Sequence, residues 1–357
     1  PRQAHLLPGP PTKCRNGRLG APFAAFVFHT TQSQMSDVLI AVIAIALLFD
    51  FMNGLHDSSN VVATLISSRA MKPRRALVMA AAGEMLGPFL FGVAVANTIG
   101  DEVLHEATMT LEVIAASLLA AAGWNVATWA LGIPSSSSHA LIGGIIGAGA
   151  ASAGLHAIQV SGLLTVLAAL FLSPLLGLLA GYLLTRLMLH AGRYLTPRAN
   201  IWLKRGQWLT AFTLALSHGA NDAQKTMGMI TAALLANGAL PRFEVPTWVI
   251  FISAAAIALG TLTGGWRLIR TLGARFYKIR PLHGFTSQAA STGVILGAAL
   301  LGGPVSTTQV VSTAIIGAGS AERLSKVRWG VAQNILLAWL LTIPASAALG
   351  AFIYRIL

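Results

Sequence analysis

Charged side chains are scarce in this sequence, at 10% of its residues, where soluble domains carry roughly 25%. Hydrophobic residues make up 55%. This balance excludes an ordinary soluble domain and favours an integral membrane protein. Acidic residues number only 11 against 24 Lys and Arg. The basic residues cluster in short loops between apolar runs, as cytoplasmic loops of membrane proteins do. No basic helix or stacking platform accompanies them, so we expect no nucleic-acid partner.

Cysteine is almost absent. The single Cys14 excludes an intramolecular disulfide and a cysteine metal cluster. Residues 1–34 also lack a long apolar run and carry four prolines before Thr12. Met35 stands just before the first apolar span, so we predict that translation starts there and that 1–34 are disordered or lie upstream of the start. The alternative is a basic tail that contacts lipid headgroups.

Two motifs occur twice. LGIPSSSSHALIGGIIGAG (131–149) aligns without gaps on LGGPVSTTQVVSTAIIGAG (301–319), with nine of nineteen positions identical. NGLHDSSNVVAT (53–64) aligns at a similar offset with the stretch around SHGANDAQKTMG (217–228). The order and spacing indicate a duplicated chain, with repeats over 35–190 and 207–357 joined by a basic linker over 191–206. Such halves commonly build a transporter around a central site.

Polar residues interrupt the middle of the first apolar run, Val38–Ser68. A continuous helix of that length would reach about 46 Å, against a hydrocarbon core of roughly 30 Å. We therefore predict a helix broken near Asn53–Gly54, where freed backbone lines a site.

The predicted fold is an all-α integral membrane protein with two inverted-topology repeats, broken helices, paired helical hairpins and about 10–12 transmembrane segments. The basic loops Arg69–Arg75, Arg186–Arg205 and Arg267–Arg280 are predicted to be cytoplasmic, the last as an amphipathic surface helix. The acidic loop Asp101–Glu106 is predicted to lie outside. Five crossings per half then place both termini outside a cytoplasmic (inner) membrane.

Each hairpin motif carries a row of hydroxyl groups after a proline. Proline suits the first turn of a helix, where backbone N–H groups and the helix dipole favour an anion. Two such rows form a two-sided cradle for a tetrahedral oxyanion. The alternative is that these serines only cap helices. The candidate anion ligands are Ser136, Ser137, Ser138, Ser306, Thr307 and Thr308.

Asp57 and Asp222 occupy equivalent positions in the two halves. Two carboxylates in a medium of low dielectric constant repel an anion, so anion binding requires cations as well: protons, sodium, or a divalent metal that bridges carboxylate and anion. This is symport. A structural salt bridge with Lys225 is an alternative for Asp222 but does not explain Asp57.

Other polar residues are assigned smaller roles. Glu84 is a candidate for the cation path, and His139 is a candidate donor to the anion. His218 and Asn221 are expected to hold the unwound backbone. The glycines of the hairpin helices are expected to allow close helix packing.

Four stretches together resemble the PiT inorganic phosphate transporters: GANDAQK at Gly219–Lys225, GLHDSSN at Gly54–Asn60, and two G-x-P-x-S-[ST]-[ST] hairpins, at Gly132 and Gly302. The resemblance covers essentially 35–357. It implies an inverted-repeat transporter, often a homodimer, with phosphate held between the hairpin hydroxyls and flanked by Asp57 and Asp222. We expect no enzymatic activity and no cofactor.

Many sodium-coupled members carry Asn at the position of His56 and a small or amide residue at that of Lys225. The His56-Asp57 and Gln224-Lys225 pairs of this sequence resemble those of the bacterial low-affinity branch. Members of that branch take up phosphate with protons, partly as metal–phosphate complexes. We therefore predict proton symport. The residues assigned to the cation path are His56, Asp57, Asn60, Glu84, Asn221, Asp222 and Lys225.

Two alternatives remain open. One is a sodium-coupled phosphate or sulfate symporter. The other is an intramembrane serine hydrolase that uses Ser136 and His139. The second hairpin has Gln309 in place of that histidine yet keeps its hydroxyls, which favours binding over catalysis.

Overall fold

The computed structural model describes residues 36–194, 199–270 and 279–357. Within these ranges the chain is helical, apart from loops and one isolated antiparallel bridge between Leu104 and Ile158. The predicted all-α class is confirmed. The tail predicted over 1–34 lies outside the described residues. The helices, in chain order, are α1 Asp37–Ser67, α2 Pro73–Phe91, α3 Ala94–Asp101, α4 Leu111–Leu131, α5 Ser137–Ala153, α6 Val160–Ala191, α7 Ala199–Ala236, α8 Thr247–Thr263, α9 Trp266–Arg270, α10 Pro281–Leu300, α11 Thr307–Glu322 and α12 Trp329–Tyr354.

The predicted break in the first helix is wrong, because α1 is continuous from Asp37 to Ser67. Its polar side chains are buried against other helices rather than lipid, so the backbone does not have to unwind to line a site. Gly54 serves a close helix crossing instead, since a Cβ there would overlap the carbonyl oxygen of Ile257 in α8. The chain bends sharply elsewhere, by 84° between α2 and α3.

The helices of each half pack mainly on helices of the other half. α6 packs on α11, and the equivalent pair is α12 on α5. In the same way, α1 packs on α8, and the equivalent pair is α7 on α2. The two motif helices, α1 and α7, are antiparallel. Ser36 Oγ donates to Asn237 Oδ1 (3.0 Å) at one end, and Ser68 Oγ donates to Gln207 Oε1 (2.8 Å) at the other. Inverted repeats require this antiparallel relationship between equivalent helices.

The basic and acidic loops lie at opposite ends of the helices. The Trp208 indole N–H donates to Ala70 O (2.9 Å), which places the start of α7 beside the first basic loop. At the other end, a cavity is lined by Glu106 of the acidic loop and by Ala236 at the end of α7. The predicted grouping of the first two basic loops at the end opposite the acidic loop therefore agrees with the structure. The placement of the third basic loop and the cytoplasmic orientation of the basic end stay predictions.

Four helical stretches in the described chain are long and apolar enough to cross a membrane, or five if the bent α2–α3 pair is one span. They are α1, α4, α6 and Ala332–Tyr354 of α12. Ten of the described helices have at least 16 residues. The number of crossings, predicted as about 10–12, stays a prediction. α6 exposes leucines such as Leu164, Leu175 and Leu183, as a lipid-facing helix does.

Two predicted segments differ in detail. The linker predicted over 191–206 is partly helical, since α7 already begins at Ala199. The surface helix predicted over 267–280 begins as helix α9, but Leu268 and Ile269 are buried inside the protein rather than directed to lipid. Residues 195–198 and 271–278 lie outside the described ranges.

Candidate functional site

The hairpin motifs connect helices through tight loops. Gly132 has φ 69° and Gly302 has φ 75°, left-handed conformations that end α4 and follow α10. Ser136 Oγ then caps α5, and Ser306 Oγ caps α11. The prolines at 134 and 304 lie in the loops, two residues before these caps, so the prediction that they begin the helices is wrong.

The second hairpin brings its hydroxyl groups to both aspartates. Thr308 Oγ1 donates to Asp57 Oδ1 at 2.8 Å, and Thr307 Oγ1 donates to Asp222 Oδ2 at 2.9 Å. Thr307 Oγ1 also lies 3.4 Å from Asp57 Oδ2, and Ser137 Oγ of the first hairpin lies 3.5 Å from the same oxygen. All five side chains are buried. The two carboxylates thus meet between the starts of α5 and α11.

Three further polar groups hold this junction together. Asn60 Nδ2 donates to Thr308 Oγ1 (3.0 Å), and Ser138 Oγ donates to Val305 O (2.9 Å). Asn221 Nδ2 donates to Gly303 O (3.3 Å) in the second hairpin loop. Side chains of both motif helices and of the first hairpin therefore fix the second hairpin in place.

Two histidines contact the carboxylates. His218 Nε2 lies 2.9 Å from Asp222 Oδ2 and 3.8 Å from Asp57 Oδ2. Its other nitrogen, Nδ1, lies 2.9 Å from Glu84 Oε1. His56 Nδ1 lies 2.8 Å from Asp57 Oδ1. Each imidazole therefore offers a proton-carrying group in direct contact with an acid.

A close helix crossing brings Glu84 into this centre. Gly219 of α7 packs against the backbone of Glu84 in α2, and a Cβ at Gly219 would overlap the Glu84 carbonyl oxygen. Because α2 approaches α7 this closely, the Glu84 carboxylate reaches His218, the neighbour of Gly219. The equivalent crossing in the other half, between Gly54 and Ile257, carries no acid.

The Lys225 ammonium contacts Asp222 Oδ1 and donates to Val305 O (3.2 Å). Its side chain is fully buried. The centre thus contains three carboxylates, those of Asp57, Glu84 and Asp222, and one lysine, which contacts Asp222. Buried ionised carboxylates require compensating charge, which protonated imidazoles or bound cations would supply. Asp57, His218 and Asp222 also each offer one metal-ligand atom within 4.8 Å of the others.

Comparison with known proteins identifies the family of the chain. The model of the phosphate transporter family matches residues 53–350. The chain belongs to the phosphate transporter family. Over 319 residues it is 44% identical to a probable low-affinity inorganic phosphate transporter of Rhizobium meliloti, covering 89% of this chain and 96% of the relative. A protein of the same description from Bacillus subtilis is 42% identical over 324 residues, with the same coverage of both chains.

A solved structure shares the fold. It is described as the sodium-dependent phosphate transporter, superposes with a TM-score of 0.84 and 24% identity, and covers 90% of this chain and 99% of its own. The predicted family, the multi-pass membrane fold and the transport rather than enzymatic role are therefore confirmed.

Most predicted site residues lie together in this transporter. The hydroxyls of Ser137, Thr307 and Thr308 lie at the paired aspartates. Ser136 and Ser306 are helix caps, the alternative that the sequence left open, and Ser138 bonds a backbone carbonyl. The predicted cation-path residues also lie in or beside the centre. Their roles in binding stay predictions.

The role predicted for His218 is wrong. No backbone is unwound around it, and its side chain instead bridges Glu84 and Asp222. Asn221 does form a hydrogen bond with the backbone, but its acceptor is a carbonyl of the second hairpin loop and not of its own helix. His139 Nδ1 lies 2.7 Å from Ser136 Oγ, so this nitrogen supports the cap. The close packing predicted for hairpin-helix glycines is present at Gly147 and Gly317, where a Cβ would overlap neighbouring carbonyl oxygens.

Proposed function

We propose that this protein takes inorganic phosphate up across the cytoplasmic membrane by symport with protons, and that the Asp57–Asp222 centre binds both. The observation that carries the proposal is the sharing of hairpin hydroxyls between two buried carboxylates that also contact histidines. The relatives described as low-affinity inorganic phosphate transporters support the substrate.

Phosphate would bind by replacing the carboxylates as the acceptor of the hydroxyl protons. Ser137, Thr307 and Thr308 then donate to phosphate oxygens, while a carboxylate accepts the proton that phosphate keeps near neutral pH. Sulfate carries no such proton, so an acceptor beside the cradle favours phosphate over sulfate.

Protons would be carried by the acids and imidazoles of the centre. Histidine exchanges a proton near pH 6.5 when unperturbed, and both His56 and His218 contact carboxylates. Lys225 holds a fixed positive charge against Asp222, where a sodium ion would otherwise bind. These contacts favour protons over sodium as the coupling ion.

A divalent metal is a further cargo under this proposal. Asp57, His218 and Asp222 offer two carboxylates and an imidazole at metal-binding separation. A metal ion carried with phosphate would bridge these ligands and the anion, and it would offset the repulsion between them. The homodimer implied by the family resemblance, and a location with both termini outside, remain predictions.

Uptake of labelled phosphate into proteoliposomes tests the proposal. Proton and sodium gradients are imposed separately at fixed membrane potential, with sulfate as competitor. We expect uptake to rise with an inward proton gradient, to persist without sodium and to resist sulfate, and we expect His56→Asn to lose the pH dependence. A strict sodium requirement would instead support the sodium-coupled alternative, and efficient competition by sulfate would reject phosphate selectivity.

A further inference from the structure

Asp50 is a buried acid outside the centre described above. Its side chain is fully buried in α1, and neither carboxylate oxygen has a hydrogen-bond partner among the described residues. An isolated ionised carboxylate in such surroundings is strongly unfavourable. An ionisable side chain inside a membrane helix generally marks an ion or proton pathway. The Asp50 carboxylate is therefore stable at this position when a proton or another cation neutralises it.

Two neighbours offer further oxygen atoms that the rest of the described chain leaves unbonded. Asn53 lies one turn along α1 on the same face, and neither its amide oxygen nor its nitrogen has a partner there. The Thr226 hydroxyl belongs to α7, which packs on α1 and acts electrostatically on Asp50, and this hydroxyl also has no hydrogen-bond partner among the described residues. All three side chains are fully buried. Carboxylate, amide and hydroxyl oxygens are the ligands preferred by hard cations.

Asp50 lies between the acidic end of the protein and the centre. It precedes Asp57 by seven residues of continuous helix, about 10 Å along α1 toward the end where that helix begins. At this end Glu106 and Glu112 line a cavity of about 600 Å³. A cation that enters from the acidic end therefore reaches the level of Asp50 before that of Asp57.

The charges that act on Asp50 come from α7. Asp222 attracts a cation at this position, whereas Lys225 and a protonated His218 repel it. On α4, which also packs on α1, the only charged residue is Glu112, which is exposed near the start of that helix. A cation beside Asp50 is therefore both attracted and repelled by charged side chains of α7.

The group occurs once in the duplicated chain. At the 165-residue offset that aligns Asp57 with Asp222, the counterpart of Asp50 is Ala215 and that of Thr226 is Val61. The first half supplies the carboxylate and the second half the hydroxyl, and neither group is repeated at the equivalent position of the other half, which corresponds to a single additional cation.

We propose that Asp50, Asn53 and Thr226 bind one small monovalent cation, a proton or Na⁺, on its way to the Asp57–Asp222 centre. The assignment of this ion as the coupling ion rests on the proposed function. The binding site itself does not, because it can be measured without phosphate.

Charge movement without phosphate tests the site. Proteoliposomes on a solid-supported membrane receive a Na⁺ jump at constant pH, and separately a pH jump without Na⁺. We expect a transient current for one of the jumps, and the responding jump identifies the ion. Asp50→Asn should remove most of this current, whereas Asp50→Glu should retain it. Thr226→Val should raise the half-saturating ion concentration by about tenfold.

Asp37→Asn is the matched control, since Asp37 is an exposed acid at the start of the same helix; its current should be unchanged. A current that Asp50→Asn leaves unaltered, or the lack of any current in the unmodified protein for either jump, would overturn the proposal. Phosphate uptake is measured on the same preparation. If the unmodified protein shows the Asp50-dependent current but takes up no phosphate, the phosphate transport proposal is rejected and the cation site is retained.

Discussion

Glu84 Oε1 and His218 Nδ1 lie 2.9 Å apart, although they belong to α2 and α7 in different halves of the chain. The other nitrogen of the same imidazole contacts Asp222. His218 thereby connects a third carboxylate to the paired aspartates. A proton that moves between these acids has one imidazole as its shortest route.

We predict that Glu84→Gln lowers phosphate uptake by about tenfold or more. Glutamine keeps the size and the hydrogen-bonding oxygen but removes the charge beside His218, so proton transfer is impaired while folding is retained. Initial rates in proteoliposomes, normalised to inserted protein and measured across pH, provide the readout. Glu244→Gln is the control, because Glu244 forms an exposed ion pair with Arg242 far along the chain from the centre. Equal pH–rate profiles for Glu84→Gln and the unmodified protein would contradict the role of Glu84.

We predict that adjacent hydroxyls of the second hairpin have different functions. Thr307→Val should weaken phosphate binding by about tenfold, since a hydroxyl donor to a charged ligand contributes roughly 1–3 kcal/mol. Ser306→Ala should instead lower stability by about 1 kcal/mol through loss of the α11 cap while phosphate affinity is retained. Phosphate binding and thermal unfolding in detergent measure the two effects. The reverse pattern would assign the anion to the cap residue.

The central pairs could be predicted because the chain is duplicated. Equivalent positions on two motif helices and two hairpins meet where the halves pack on each other, so the match of Asp57 with Asp222 also indicated their proximity. Hydroxyls at the hairpin helix starts followed from the G-x-P-x-S pattern. The pattern could not distinguish the capping residue from the two hydroxyl residues that follow it, because all three positions are Ser or Thr in both hairpins, at 136–138 and 306–308.

His218 and Asp50 were harder to predict. The repeat counterpart of His218 is Asn53, and its contact with Glu84 depends on how closely α2 crosses α7 at Gly219. Asp50 is a single acid in an apolar run, which indicates a site but not its neighbours. The break near Gly54 was inferred from the helix length and from the polar residues in mid-helix, on the assumption that unwound backbone would line the site. In the structure the polar side chains themselves line the site, buried against other helices, and the helix stays continuous.

We predict that Gly219→Ala both destabilises the protein and lowers transport. The added Cβ overlaps the Glu84 backbone, so α2 must shift and its carboxylate must leave His218. Overpacking of this kind typically costs about 1–3 kcal/mol. Gly293→Ala in α10 is the matched control, because no side chain and no other helix of the described chain lies within 4 Å of its added Cβ, and it should be neutral or slightly stabilising. A Gly219→Ala protein with unchanged unfolding temperature and uptake would argue against the tight crossing.

We predict that the basic loops face the cytoplasm and the acidic loop faces outside. Single cysteines at Arg74, Arg205 and Glu106, in a Cys14→Ser background, are labelled with an impermeant reagent in intact cells and in inverted vesicles. Glu106 should label from outside, and the two basic positions should label only in inverted vesicles. Labelling of Arg74 and Arg205 from opposite sides would contradict the inverted arrangement.

The most direct test of the central claim is phosphate uptake by Asp57→Asn and Asp222→Asn, with Asp37→Asn as the matched control. Each central substitution keeps the side-chain size and removes one carboxylate that shares the hairpin hydroxyls. We predict that both central variants insert normally yet nearly abolish uptake of labelled phosphate into proteoliposomes under an inward proton gradient, while Asp37→Asn transports normally. Normal uptake by both central variants would show that the aspartates are structural and that phosphate and its cation bind elsewhere.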